Sequence, residues 1–206
     1  MKSSLITLAF FLSGCLLGVC YMVDFDVHSA SVYVLYVLML LLGINLGSNA
    51  NLKNYIRSLN LKTLLVPLAT VGGTLLFSAI GGFILSRWTS FECMAVGSGF
   101  AYYSLSSILI TEIKSASIGV QLATELGTIA LLANIFREMT ALIGAPLFRK
   151  YFGELAPISA AGIGSSDVSL AAIARCSGQD AIPVAIVHGI LININMPFFV
   201  SMFCRM

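Results

Sequence analysis

The stretch GIGSSDVSLAA, Gly162 to Ala172, sets a carboxylate inside a run of small residues and does not read as an ordinary lipid-facing helix. A second stretch of the same kind, GSGFAYYSLSS, runs from Gly97 to Ser107. Aligned at an offset of 65 the two share G-x-G-x-x-x-x-S-L, with Gly97, Gly99, Ser104 and Leu105 matching Gly162, Gly164, Ser169 and Leu170. Each leads through a polar stretch into a long apolar one. Glycine weakens a helix by about 1 kcal/mol relative to alanine, so pairs of glycines beside serines invite an unwound turn. Non-helical backbone at membrane depth survives only where protein or a water-filled cavity surrounds it. Interrupted segments in corresponding halves of a chain point to the binding site of a secondary transporter. Close helix packing through small residues is the alternative. It accounts for the glycines, but not for the tyrosines, serines and aspartate gathered beside them.

The membrane itself is read from composition. Of 206 residues, 58% are hydrophobic and 10% charged, with a mean hydropathy of +0.97; a soluble domain carries about 25% charged residues. A soluble fold this size has no means of hiding so much apolar surface, whereas lipid removes the difficulty. Seven membrane segments are expected: Leu5–Val23, Ser31–Ser48, Thr63–Ser86, Cys93–Thr111, Ser117–Phe148, Leu155–Ala174 and Ala181–Cys204. The expected fold is an all-α polytopic membrane protein, residues 1–206 forming one transporter domain. The fourth and sixth segments are its Gly-rich broken or re-entrant helices, related by an inverted repeat.

The N-terminal LSGC ending at Cys15 has the pattern of a lipoprotein cleavage site, but LLGVCYMV follows where a polar tether belongs, so the first segment is read as an uncleaved helix. Five cysteines in or beside apolar stretches give no disulfide framework and no zinc spacing. No cofactor is implied, and a net charge of +2 without a basic run excludes nucleic acid. If every segment crosses once from a cytoplasmic N-terminus, six Lys and Arg lie inside (Lys2, Lys53, Arg57, Lys62, Lys114 and Arg175). Four (Arg87, Arg149, Lys150 and Arg205) then lie outside.

Asp167 is the sharpest candidate. A carboxylate at the centre of a membrane helix costs roughly 2.5–3.5 kcal/mol on insertion scales, which argues that it faces a cavity. There it can bind an ammonium group, exchange a proton, or do both in turn; alternatively it caps a half-helix with Ser165 and Ser166 alongside. Gly97, Gly99 and Gly164 mark the breaks, with Tyr103, Ser104 and Ser166 as polar neighbours. In the fifth segment Asn134, Arg137 and Glu138 share one helix face. Arg137–Glu138 reads equally as a structural ion pair and as part of a substrate site. Glu125, with Gln121, lies nearer the membrane boundary. His188, with Asn193 and Asn195 beyond it, is either a proton relay or a neutral hydrogen-bonding partner between helices.

At these same residues the sequence resembles the LysO-type lysine exporters of bacteria. The matching stretches are LLLGINLGSN (Leu40–Asn49), GSGFAYYSLSSILITE (Gly97–Glu112), FRE (Phe136–Glu138), GIGSSD (Gly162–Asp167) and IPVAIVHG (Ile182–Gly189), in family order along nearly the whole chain. The resemblance implies proton-coupled export of L-lysine and toxic lysine analogues across the bacterial inner membrane. It also implies that the aspartate of the GxxSxD element, here Asp167, is needed for transport. Two departures stand out: the family carries further N-terminal helices with another acidic residue, and Ala101-Tyr102-Tyr103 stands where GWY is expected. The first implies either a separate small membrane subunit that supplies those helices or a core working alone or as a homodimer. The second affects the shape of the cavity.

Lysine has two ammonium groups and a carboxylate, and the candidates offer an acid, hydroxyls and a half-helix N-terminus for them. A cation/proton antiporter or an exporter of another amino acid fits the same carboxylate. An intramembrane hydrolase built on His188 and Asp167 does not, for want of a serine elbow, and the chain is read as a transporter and not an enzyme. A purely scaffolding subunit has little need of charge at membrane depth.

Overall fold

The computed structural model describes residues 61–206 and, before them, Ser13, Leu16, Tyr33, Tyr36, Val37, Leu40, Leu41, Ile44 and Ser48. Contacts group the chain into residues 1–34 and 35–206. In the first unit Ser13, Leu16 and Tyr33 are helical; the expected first segment otherwise lies outside the described residues, as do Cys15 and much of the second segment. The architecture below is that of the second unit.

From Leu61 onward the described residues are helical apart from short turns, with no strand among them. The helices are α1 (Leu61–Ile84), α2 (Ser90–Gly97), α3 (Tyr103–Ile118), α4 (Val120–Phe152), α5 (Ala156–Ala161), α6 (Leu170–Ser177) and α7 (Ala181–Cys204), with a 3-10 turn at Gly162–Ser166 between α5 and α6. Three of them are long and apolar enough to cross a membrane: Thr63–Ile84, Val120–Phe152 and Ala181–Cys204. The chain is thus an all-α polytopic membrane protein. The two Gly-rich segments are broken, as their sequence predicts, at residues 98–102 and 162–169.

Both broken segments turn back. Thr89 opens α2 with a capping box, its hydroxyl accepting from the Glu92 amide at 3.2 Å while the Glu92 carboxylate accepts from the Thr89 amide at 2.9 Å. α2 then climbs antiparallel to α1, so that Ser90 lies against Gly82 and Gly97 against Ser78. After the break α3 descends again, and Lys114 near its end pairs with Glu92 near the start of α2 at 3.2 Å. Gly119, at φ +85, closes α3 in a conformation that costs glycine least. α4 crosses to the opposite face, α5 re-enters from there, and α6 returns, its last residue Ser177 donating to the Glu154 carbonyl at 2.9 Å. α7 crosses back, bringing Cys204 into the apolar cluster of α2 and α3.

Two re-entrant hairpins therefore enter from opposite faces, the re-entrant form expected of the Gly-rich segments, and the charge count that supposed one crossing per segment does not apply. Hydropathy reports depth, not direction, so a hairpin and a span look alike in sequence. Lys114 joins Arg87 and Arg205 on one face; Arg149, Lys150 and Arg175 share the other.

Each hairpin has its own core. Around α2 and α3 the buried cluster includes Ala95, Leu105, Leu109, Ile110, Leu126 and Met196, with Phe199 packed edge-on to Phe100 at 6.3 Å and stacked on Phe203 at 6.4 Å. Around α5 and α6 it comprises Val66, Ala141, Ile158, Ala161, Ile173, Ala181 and Ala185. Exposed Leu65, Leu68, Leu76, Phe77 and Phe83 on α1 suit a lipid surround.

Candidate functional site

The two hairpin tips touch. Phe100 and Ala101, at the first tip, hold left-handed backbone at φ 45° and 74°, which costs a non-glycine residue about 1–2 kcal/mol. Two bonds hold this turn in place. The Ala101 amide donates to Asn134 Oδ1 at 2.8 Å, and the Phe100 carbonyl accepts from the Ile163 amide of the second tip at 3.0 Å. Gly162, at φ +60, lies so close to the Phe100 carbonyl that a Cβ there has no room.

One turn of α4 clamps both tips. Asn134 is 2% exposed; besides accepting from Ala101 it donates to the Val96 carbonyl at 3.1 Å and the Ala130 carbonyl at 2.9 Å. Arg137 serves the second hairpin, donating to the carbonyls of Ala160 at 3.2 Å and Ser159 at 3.3 Å and to Thr74 Oγ1 at 3.3 Å. Its guanidinium sits over the Phe100 ring, 5.6 Å from the centroid. Its hydrogen bonds among the described residues go to these carbonyls and this hydroxyl, and Glu138 is not its ion-pair partner. Asn134 and Arg137 serve together because a spacing of three residues puts them on one helix face.

Glu138 turns into a cavity of about 330 Å³ between the tips. From the first hairpin the cavity receives Tyr102, Tyr103 and Ser104, and from the second Gly164, Ser166, Asp167 and Val168; Ile190 and Asn193 come from α7. Its size is at the small end of the roughly 300–1,000 Å³ usual for ligand sites. Asp167 is exposed, and one of its oxygens accepts from the adjacent Val168 amide; α6 begins at Leu170 behind Ser169 without a side-chain cap, so Asp167 does not cap that half-helix. α3 begins at Tyr103, at the cavity's edge, which puts the unsatisfied amides of a 16-residue helix there.

Of the residues singled out in sequence, Tyr103, Ser104, Gly164, Ser166, Asp167 and Glu138 come together in this cavity. Gly97 and Gly99 do not line it: Gly97 lets α2 approach Ser78 and Thr74, and Gly99 packs on Asn134 and Ser106. Asn134 and Arg137 stand behind the tips. His188 is fully buried between Thr70 Oγ1 on α1 and Ser165 Oγ on the second hairpin, 3.0 Å from each. Glu125 lies away from the site, paired with Arg87 at the surface.

Two features go beyond the sequence reading, which grouped Asn193 with His188 and did not single out the Glu92–Lys114 pair. Asn193 is 8% exposed, lines the cavity, and its amide oxygen has no hydrogen-bond partner among the described residues; its position facing Glu138 and Asp167 emerges only in three dimensions. The Glu92–Lys114 pair, both side chains over nine-tenths buried, clasps the base of the first hairpin. An acid in a first helical turn and a lysine far along the next helix give no pairing signal in sequence.

A family profile described as Lysine exporter LysO matches residues 8–204. The lysine exporter LysO of Escherichia coli (strain K12) is 32% identical over 176 residues, 84% of this chain and 54% of that protein. A protein of Haemophilus influenzae named "Putative lysine exporter" is 29% identical over 177 residues, 85% of each chain. The chain spans about half the length of the E. coli relative. No solved structure matches.

Proposed function

Because this chain belongs to the lysine exporter LysO family, we propose that it exports L-lysine and toxic lysine analogues across the bacterial inner membrane in exchange for protons, with Asp167 at the shared substrate and proton site. The observation that carries this reading is the placement of Asp167: a carboxylate on the tip of one re-entrant hairpin, facing a cavity walled on the other side by the tip of a second. Hairpins entering from opposite faces suit alternating access, since either tip can part from the other and open the cavity to its own side.

Lysine's ammonium pairs with Asp167, Tyr103 and Ser104 supply polar contacts, and the amides opening α3 receive the substrate carboxylate. Export against a gradient follows when Asp167 holds either a proton or the substrate. The basic residues orient the molecule. The face where α1 begins carries Arg149, Lys150 and Arg175, with Lys53 and Arg57 preceding α1 in the sequence and Lys62 its second residue; the other carries Arg87, Lys114 and Arg205. The first is the cytoplasmic face by the positive-inside rule.

The test is resistance to a toxic lysine analogue in a bacterial strain lacking its own lysine exporters. The chain should confer resistance and Asp167→Asn should abolish it. A second copy of the chain or a separate small membrane protein is the partner expected if the chain alone confers none, and co-expression then restores resistance. Full resistance with Asp167→Asn removes the carboxylate from the mechanism. Resistance confined to other amino acids, or Na⁺-driven proton movement in vesicles, replaces lysine as the substrate.

A further inference from the structure

At the base of the first hairpin Glu92 and Lys114, both buried, pair at 3.2 Å and close it with the chain's own charges. The second hairpin has no such pair among the described residues. At its base the Ser177 hydroxyl donates to the Glu154 carbonyl, and close by two basic side chains converge. Arg149, in the last turn of α4, and Arg175, in the last turn of α6, line one cleft of about 530 Å³. Arg149 pairs with Glu154 at 3.2 Å, but both side chains are exposed, and water and salt weaken such a pair. Arg175 has no acidic partner among the described residues. Basic residues in a last turn suit the helix dipole, which accounts for their sign and not for their meeting in one cleft. Two guanidiniums facing one space repel each other unless an anion lies between them.

The remaining walls of the cleft define what carries that anion. Leu142, Pro146 and Arg149 stand at i, i+4 and i+7 on one face of α4, and Ala172 and Arg175 at i and i+3 on α6. Both helices run toward the face where the arginines lie, so on each the apolar residues come first and the arginine last. Leu142 and Arg149 are separated by about 10 Å along the helix axis. Ile143, also on the wall, is exposed. An apolar wall at membrane depth with two guanidiniums at its boundary follows the profile of a phospholipid from acyl chain to phosphate. A soluble anion uses the arginines and leaves the apolar wall uncovered. Basic pockets between membrane helices on the cytoplasmic side suit acidic headgroups, and the planar guanidinium fork matches phosphate oxygens.

We propose that the cleft between the ends of α4 and α6 binds an anionic phospholipid of the cytoplasmic leaflet, its phosphate bridging Arg149 and Arg175 and an acyl chain lying on Leu142 and Ile143. The lipid supplies the anion that the base of the second hairpin lacks and ties the returning helix α6 to α4. The site is separate from the cavity between the tips and fills without substrate.

The test uses the purified full chain in phosphatidylcholine vesicles, with Trp88→Phe removing the one tryptophan and Ile143→Trp placing another in the cleft. The probe is phosphatidylglycerol with brominated acyl chains, and tryptophan quenching is followed as its mole fraction rises. Quenching should saturate at a low mole fraction, whereas brominated phosphatidylcholine should quench only in proportion to its share of the bilayer. Losing one charged hydrogen-bonded contact weakens binding by roughly tenfold or more, so Arg149→Gln and Arg175→Gln should each raise the half-quenching mole fraction by about that factor. Lys150, which lies over the Tyr151 ring at 5.3 Å, shares the face but not the cleft, and Lys150→Gln should cost no more than the roughly fivefold of general surface attraction. Glu154→Gln releases Arg149 and should lower the half-quenching mole fraction. Equal quenching by the two brominated lipids makes the cleft part of the general lipid boundary and overturns the proposal, as does a Lys150→Gln loss as large as that of Arg175→Gln. Displacement of the probe by millimolar inorganic phosphate identifies a soluble-anion site and overturns it as well. If the arginine variants do not fold, an unchanged half-quenching mole fraction in Glu154→Gln overturns it.

Discussion

Gly189→Ala is the smallest change that should disable this protein without unfolding it. Gly189 lies on α7 against the second hairpin tip. A Cβ there meets Ser166 Cβ and Oγ at 2.6 Å and the Ser166 amide nitrogen at 2.8 Å. Ordinary contact begins at 3.4 Å, so the tip must retreat by about 0.8 Å, since one of the obstructing atoms is backbone and has no rotamer to swing away. Asp167 is the next residue. Binding constellations tolerate about 0.5 Å of misplacement, and an error near 1 Å can cost on the order of a hundredfold in rate. The helix itself gains up to about 1 kcal/mol from alanine, which separates tip displacement from loss of helix. Lysine efflux from preloaded vesicles should fall by roughly 10–100-fold, while the detergent-purified protein keeps its monodispersity. Gly72→Ala is the control, because nothing among the described residues lies within 4 Å of a Cβ there, and its efflux should match the unmodified protein. Efflux from Gly189→Ala above half the unmodified rate would refute the claim that the Ser166–Gly189 contact sets the position of Asp167.

Three further outcomes are expected. Lys114→Met leaves Glu92 buried and unpaired, a loss of about 3–5 kcal/mol read as a lowered Tm, and adding Glu92→Met should recover most of it. Asn134→Ala strips the Ala101 amide of its partner at about 1–3 kcal/mol, while the Val96 carbonyl keeps the Gly99 amide; a Tm within 1 °C of the unmodified protein, roughly the shift from a few tenths of a kcal/mol, argues against the clamp. Glu125→Gln removes an ion pair whose side chains are 62% and 40% exposed, worth under about 1 kcal/mol, and export should be retained; its loss would return Glu125 to the site.

Much of the site was legible because the chemistry that makes a broken membrane helix is local. Glycines and serines in Gly97–Ser107 and Gly162–Ala172 conflict with helical propensity and with lipid at the same positions, and both breaks lie there. Asp167 stood out for the same reason. What sequence withheld is the direction of travel after each break, because an apolar half-helix satisfies hydropathy whether it continues or returns. The fate of Arg137 and Glu138 was equally hidden. Adjacent opposite charges on one helix face suggest a pair, yet a one-residue step rotates Glu138 toward the cavity while Arg137 reaches back to the carbonyls of α5. Gly97 and Gly99, which mark the first break in the sequence, serve as close-approach positions for α1 and α4.

The central claim is that the hairpin tips, entering from opposite faces, close on the substrate between them. Single cysteines at Ser104→Cys on the first hairpin and Val168→Cys on the second, in a background with Cys15, Cys20, Cys93, Cys176 and Cys204 replaced, report it directly through their rate of labelling by a membrane-permeant maleimide. Lysine should slow labelling at both positions, and norleucine at neither. Labelling that lysine leaves unchanged at both positions, in variants that still export it, would place the substrate elsewhere and contradict the account.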